Sequence, residues 1–296
     1  MWPFTLSVVT LALSGLTFAH LAAWHEAMYC FNGTTPGQVN YNTNDAVNPM
    51  YMLSQSDYWF HHVNGCDDFP PSPGVFLELP AGGSFTVEIA GNRGVTSLSF
   101  NGQYATEWTD GQPHPGSTTT LTDASYSSEG CITTPNMRKF LFVAGLVTKL
   151  VPYSTPWQRV TSYDVPANMP ACPSGGCTCA WVWIPDGCGE PNIYMEGFKC
   201  TVTNAKSTTP VGTPKAPVWC EDNQNNCVQG PKQIMIWNQQ GGNNIEVSGF
   251  DLSGRNKSPA YNSKCGFQDG AQNDIFATSS SSGKRMVQKH KRSIMV

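Results

Sequence analysis

The chain has 296 residues, a formal net charge of −4 and only 13% charged residues, against 28 Gly and 22 Pro. Five of the 17 Lys and Arg fall in the last 13 positions and the other 12 are spread thinly along the chain, which argues against a basic face on the folded part and against nucleic acid as its partner. The length allows one large domain, and the surplus of Gly, Pro, Ser, Thr and Asn favours short strands and many turns over long helices.

Residues 1–19 (MWPFTLSVVTLALSGLTFA) have an apolar middle from Leu6 to Phe18, with Thr17 and Ala19 at the −3 and −1 positions that signal peptidase prefers. They predict a signal peptide, a secreted extracellular protein and His20 as the mature N-terminus. A histidine at that position has a chelate geometry that no internal histidine has. Its α-amine and Nδ1, titrating at about 7.7 and about 6.5, close one ring on a single metal ion.

All eleven cysteines (30, 66, 131, 172, 177, 179, 188, 200, 220, 227 and 265) lie beyond this leader, in a chain bound for an oxidising compartment. They read as disulfides with one cysteine left over. Five fall within Cys172 to Cys200, but without the paired CxxC spacing of a zinc site. Asn32-Gly-Thr34 is a glycan acceptor motif; Asn256-Lys-Ser258 is a poorer one because Pro259 follows. Beyond the leader no run is long enough to cross a bilayer, since the apolar stretch Phe140 to Val151 is short and contains Lys149.

From His20 to about Pro73 the pattern is irregular and rich in aromatics, with one helix expected around Met50 to His62. Alternation over Ser84–Ile89 and Val95–Phe100 about a turn at Gly91–Gly94 predicts a hairpin. Further strand runs are Phe140 to Val147, Arg159 to Val165, Cys179 to Ile184, Asn192 to Thr203 and Lys232 to Trp237. Together they predict an all-β fold, an immunoglobulin- or fibronectin-like antiparallel β-sandwich with long loops, stapled by disulfides. The Thr/Pro/Lys stretch Thr203 to Pro217 reads as a surface loop, and Cys220, Cys227 and Cys265 as staples holding the following segment to the sandwich. The domain is expected over 20–276. Residues 277–296 read as a disordered basic tail, with dibasic processing sites at Lys284-Arg285 and Lys291-Arg292.

A metal at His20 needs further ligands. His290 belongs to the tail, and His25 lies too few residues away to turn back easily. His61 and His62 precede Asn64-Gly-Cys66 and read as hydrogen-bonding residues of a disulfide-anchored loop. His114 lies in Asp110-Gly-Gln-Pro-His114-Pro-Gly, where prolines on both sides keep the backbone extended and reduce the entropy lost on binding a metal. Asn192 and Tyr194 are two apart in a strand and so share a face, where Tyr194 reads equally as a core aromatic.

These residues carry a resemblance. A signal peptide ending directly before His, a His in a Gly/Pro loop and a late strand of form N-x-Y-M-x-x-x-x-C resemble the copper-dependent lytic polysaccharide monooxygenases of fungi. The start His20-Leu-Ala-Ala-Trp-His-Glu-Ala-Met-Tyr-Cys-Phe-Asn-Gly, with His61-His-Val-Asn-Gly-Cys-Asp and Leu79-Pro-Ala-Gly-Gly-Ser, is similar to auxiliary-activity family fourteen, the xylan-active type. The resemblance implies one copper ion in a histidine brace: the amine and side chain of His20, the side chain of His114 (His62 being the alternative) and Tyr194 as axial oxygen. It further implies that Asn192 positions the oxygen species, standing where related enzymes often carry glutamine. The implied co-substrates are an external electron donor and O2 or H2O2. The implied partner is a polysaccharide, xylan on a cellulose surface, bound by a monomeric enzyme with no membrane attachment. Imidazole and amine donors suit copper over zinc or nickel.

Two rival readings use other features. Glu107, Glu129, Glu190 and Glu196 could supply the acid and base of a glycoside hydrolase, and a copper-capture protein would keep the brace without oxidative cleavage. Trp24, Tyr58 and Trp108 read either as a polysaccharide-facing surface or as core.

Overall fold

The computed structural model describes residues 20–109, 111, 139–144, 147–152, 159–184, 192–268 and 270–277. The leader, His114, Cys131, Cys188, Glu129, Glu190, His290 and the tail beyond Ala277 lie outside the described residues. Among the described residues nine strands form two sheets: β1 (Ala22–Trp24), β2 (Leu77–Pro80), β3 (Ser84–Ala90), β4 (Lys139–Ala144), β5 (Val147–Pro152), β6 (Val160–Asp164), β7 (Cys177–Trp183), β8 (Tyr194–Thr203) and β9 (Gly270–Ala271). One sheet has the order β1-β3-β6 and the other β2-β8-β7-β4-β5-β9. Every pair is antiparallel except β2 with β8, which run parallel with Leu77 opposite Cys200. The expected sandwich is therefore present, with one mixed sheet.

Alternation explains how the sheets face each other. Phe85, Val87 and Ile89 of β3 and Tyr163 of β6 point at Trp181 and Trp183 of β7 and Tyr194, Phe198 and Cys200 of β8, forming one buried cluster that also takes in Trp24. Trp24 is fully buried and its indole N–H donates to the Ala90 carbonyl at 2.9 Å, so the first strand is bound to β3 by side chain as well as by backbone. The opposite faces of β7 and β8 are also covered. Ala180, Val182, Ile193 and Met195 pack against Met50, Tyr58, Met235, Ile236, Ile245, Tyr261 and Phe267. Burial on both faces is why β7 reads as a nearly continuous apolar run.

Three expected elements take a different form. Val95–Phe100 is not the second arm of a hairpin: β3 pairs with β1 and β6 instead, and short 3-10 turns occupy Arg93–Val95 and Phe100–Gly102. The Glu88 carboxylate accepts hydrogen bonds from the Ser97 backbone N–H and hydroxyl, drawing that segment away from a ladder partner. Lys232–Trp237 is not a strand either. Side chains take its backbone groups: Tyr261 accepts from Met235 N–H at 3.0 Å, and Asn244 accepts from Ile236 N–H at 2.9 Å while donating to Ile234 at 2.8 Å. The helix expected around Met50 to His62 is reduced to α1 (Gln55–Tyr58) and a kinked 3-10 segment, Trp59–Asn64.

Among the described residues the disulfides are Cys30–Cys66, Cys172–Cys177, Cys179–Cys200 and Cys220–Cys227, and Cys265 is buried. Cys179–Cys200 crosses from β7 to β8, and Cys220–Cys227 staples a turn of the C-terminal layer. No helix among the described residues is long and apolar enough to cross a membrane. The Cys30–Cys66 bridge spans 36 residues, the longest of these separations, and holds the loop that carries His61 and His62. The double substitution Cys30→Ser with Cys66→Ser is expected to lower the unfolding free energy by about 2–4 kcal/mol in urea titration. A loss under about 0.5 kcal/mol would show that packing alone fixes this loop.

Candidate copper site at the N-terminal end of the sandwich

Three chain segments meet at one end of the sandwich. Strand β1 begins two residues after His20, and its Ala22 lies opposite Ala90 at the close of β3. The next residue of that chain, Gly91, donates from its N–H to the Thr109 carbonyl at 3.2 Å, which ties the start of the His114-bearing loop to the same place. Strand β8 starts at Tyr194, and the rings of His20 and Tyr194 stand 6.5 Å apart and tilted by 43°.

Each member owes its position to local packing. His20 is exposed, whereas Tyr194 is 2% exposed and stacks on its cross-strand partner Trp183 at 4.7 Å. Ile193 exchanges two backbone hydrogen bonds with Met50, each 3.0 Å, so the entry to β8 is fixed on the outer side as well. Asn192, buried at 7% exposure, sits two residues before the tyrosine. His114 lies outside the described residues, but Gly111 at the root of its loop is described. It adopts φ +72°, and an added Cβ would come within 2.5 Å of the Val95 side chain, so only glycine serves there.

The other histidines are engaged elsewhere. His25 is half-buried and its Nδ1 accepts from the Ala27 N–H at 3.0 Å. His62 is exposed and its Nδ1 lies 2.9 Å from Asp67, whose carboxylate raises the proton affinity of the imidazole. With Asp67 and Asp68 it forms the one group of three His, Asp or Glu donors in mutual reach among the described residues, all exposed.

Of the four glutamates considered for acid–base work, Glu129 and Glu190 lie outside the described residues, Glu107 is exposed and Glu196 is buried. Trp24 and Tyr58 are fully buried and Trp108 is 7% exposed, so these three are core and do not form a polysaccharide-facing surface.

Behind Tyr194 the fold brings together two ionisable side chains that are far apart in the sequence. Glu196 follows Tyr194 by two, hence on the same inward face, and its carboxylate is 3.8 Å from Nε2 of the buried His61. His61 adopts φ +60° and its Nδ1 meets Asn64 at 3.2 Å. Its Nε2 and both Glu196 carboxylate oxygens lack a hydrogen-bond partner among the described residues. Burial suppresses charge on both groups: the carboxyl is raised well above its usual range and the imidazole is lowered to about 4. The alternation Y-M-E-G-F, with a carboxylate between two inward aromatics, was the available signal.

Between pH 6.5 and about 4 the unfolded chain binds a proton at residue 61 that the folded chain does not. Stability from this residue is thus lost as pH falls. Relative to His61→Gln, the wild-type protein should lose up to about 1.4 kcal/mol per pH unit across that window in urea titrations. Parallel curves for the two proteins would mean that His61 protonates freely in the fold.

Comparison with known proteins identifies the family. The chain matches the family model described as lytic polysaccharide monooxygenase AA14 over residues 1–290. It is 36% identical over 300 residues to AA14 family lytic polysaccharide monooxygenase B of Pycnoporus cinnabarinus, covering 94% of this chain and 75% of the relative. A protein of the same name from Trametes coccinea is 36% identical over 297 residues, with 94% and 68% covered. Another from Talaromyces rugulosus is 27% identical over 289 residues, with 88% and 94% covered. The chain belongs to the AA14 family of lytic polysaccharide monooxygenases, oxidoreductases that cleave polysaccharides oxidatively with copper.

Proposed function

We propose that this protein is secreted, loses residues 1–19, and binds one copper ion through the α-amine and imidazole of His20, the imidazole of His114 and the phenolic oxygen of Tyr194. The observation that carries the reading is the meeting of an exposed imidazole at the start of β1 with a buried tyrosine at the start of β8. Two nitrogens from one terminal residue, an imidazole on a Pro-flanked loop and a phenol make a donor set suited to copper. His62 is less suited to the third position, because Asp67 already holds its ring.

When bound there, copper supplies the redox chemistry, taking electrons from an external donor and activating O2 or H2O2. The chain's own residues supply geometry. Trp183 clamps the Tyr194 ring and, with Trp181 and Phe198, keeps water from its inner side. Asn192 positions the oxygen co-substrate at the mouth of β8. The open side of His20 faces solvent, where an insoluble polymer can approach. The substrate we propose is xylan associated with cellulose, attacked by a monomer without membrane attachment.

Copper-loaded mature protein given ascorbate and xylan-coated cellulose should release oxidised oligosaccharides detectable by mass spectrometry. In copper titration, His20→Ala should weaken binding by more than about 100-fold. Copper-independent, non-oxidised products would contradict the proposed reaction, and unchanged copper affinity in His20→Ala would contradict the brace.

A further inference from the structure

The three aromatic side chains Tyr41, Phe100 and Tyr104 are 48%, 42% and 53% exposed, yet they touch one another. Ring centroids are 5.8 Å apart for Tyr41 and Phe100 and 5.5 Å for Phe100 and Tyr104, so the rings form a continuous ridge. Single exposed apolar residues are ordinary on a protein surface; a contiguous aromatic row is not.

The ridge is built, and at a cost. Phe100 and Asn101 both adopt left-handed backbone, φ +49° and +53°, which residues with a Cβ avoid. The Phe100 ring is nonetheless 42% exposed there. Underneath, the buried Arg93 side chain lies 3.7 Å from the Phe31 ring centroid and 5.1 Å from that of Tyr41. It donates to the carbonyls of Phe31 and Leu98 at 3.0 and 3.1 Å. Its charge is thus spent inward, holding the Tyr41 and Phe100 segments together, and the ridge itself presents neutral groups.

Beside the ridge is a cleft of about 580 Å³ lined by Asn42, Val95, Phe100, Gln103, Tyr104 and Gly111 among others. Its position is informative. Gly111 is three residues before His114, and Asn42 accepts at its carbonyl from Asn92, which follows the β3 end facing the start of β1. The lining of the cleft is therefore tied to the end of β3 that pairs with the start of β1.

We infer that the Tyr41–Phe100–Tyr104 ridge and its cleft are a binding subsite for a neutral polysaccharide chain leading to the His20 end. This rests on the proposed copper site. Pyranose rings have apolar C–H faces that stack on aromatic planes and hydroxyl rims that pair with amides, and Asn42, Asn101 and Gln103 are exposed along the ridge. A charged or strongly apolar ligand would find neither countercharge nor an enclosed pocket here.

The test is retention on suspended xylan-coated cellulose, measured as protein depleted from solution, for the mature protein and for Phe100→Ala with Tyr104→Ala. Copper affinity and thermal unfolding are recorded in parallel. The double alanine variant should bind the solid about tenfold more weakly at unchanged copper affinity. Phe100→Tyr with Tyr104→Phe, which keeps both rings, should be retained like the parent. Tyr104→Ala alone, at a position without left-handed backbone, gives a second reading should the double variant unfold.

Equal retention of parent and alanine variants overturns the subsite even where oxidised products are released. Dependence of retention on the two rings, without oxidised products, upholds the subsite and removes the proposed reaction instead. A dimer that becomes monomeric on alanine substitution, with retention unchanged, makes the ridge a contact between copies and likewise overturns the proposal.

Discussion

The stacking of Trp183 on Tyr194 across the β7–β8 pair, at 4.7 Å, is the contact on which the site depends. It locks the first residue of β8 into the inner layer at the edge where β1 begins. Shifting β8 by one residue would turn Tyr194 outward and bring Met195 into its place. Such a slip is resisted from three sides. The Cys179–Cys200 bridge pins the far end of the strand pair, Met50 pins Ile193, and the C-terminal layer covers the outer face. The fixed tyrosine then stands 6.5 Å, ring to ring, from the exposed His20.

This arrangement also explains the division between rigid and open surfaces. Trp24, Tyr163, Trp181, Trp183 and Phe198 fill the interior around the site, and truncating any of the tryptophans would cost about 3–5 kcal/mol as a cavity. His20 itself is exposed and bears none of that load. That exposure suits the proposed reaction, because a polysaccharide chain cannot enter a deep pocket and would meet the proposed copper site on the surface.

Much of this was legible from residues. The alternation of β3, β6, β7 and β8 marked the sandwich. A late strand was legible too, although it begins at Tyr194 and leaves Asn192 just before it. Other features were hidden by physical causes that periodicity does not report. Val95–Phe100 alternates like a strand but is diverted by the Glu88 carboxylate and by left-handed backbone at Phe100. Lys232–Trp237 has strand composition, yet Asn244 and Tyr261 satisfy its backbone in place of a neighbouring strand. Parallel pairing of β2 with β8 joins segments about 120 residues apart, beyond the reach of local pattern. Exposure of Phe100 and burial of Trp24 are outcomes of packing that hydrophobicity alone cannot separate.

The central claim is that the α-amine of His20 is a copper ligand, which makes removal of the leader part of the chemistry. Copper titration of the mature protein beginning at His20, against a form retaining Ala19 as a single extra residue, tests it most directly. The account predicts one tight site in the mature protein and affinity weakened by more than about 100-fold when the amine is tied up in a peptide bond. Equal affinity in the two forms would contradict it.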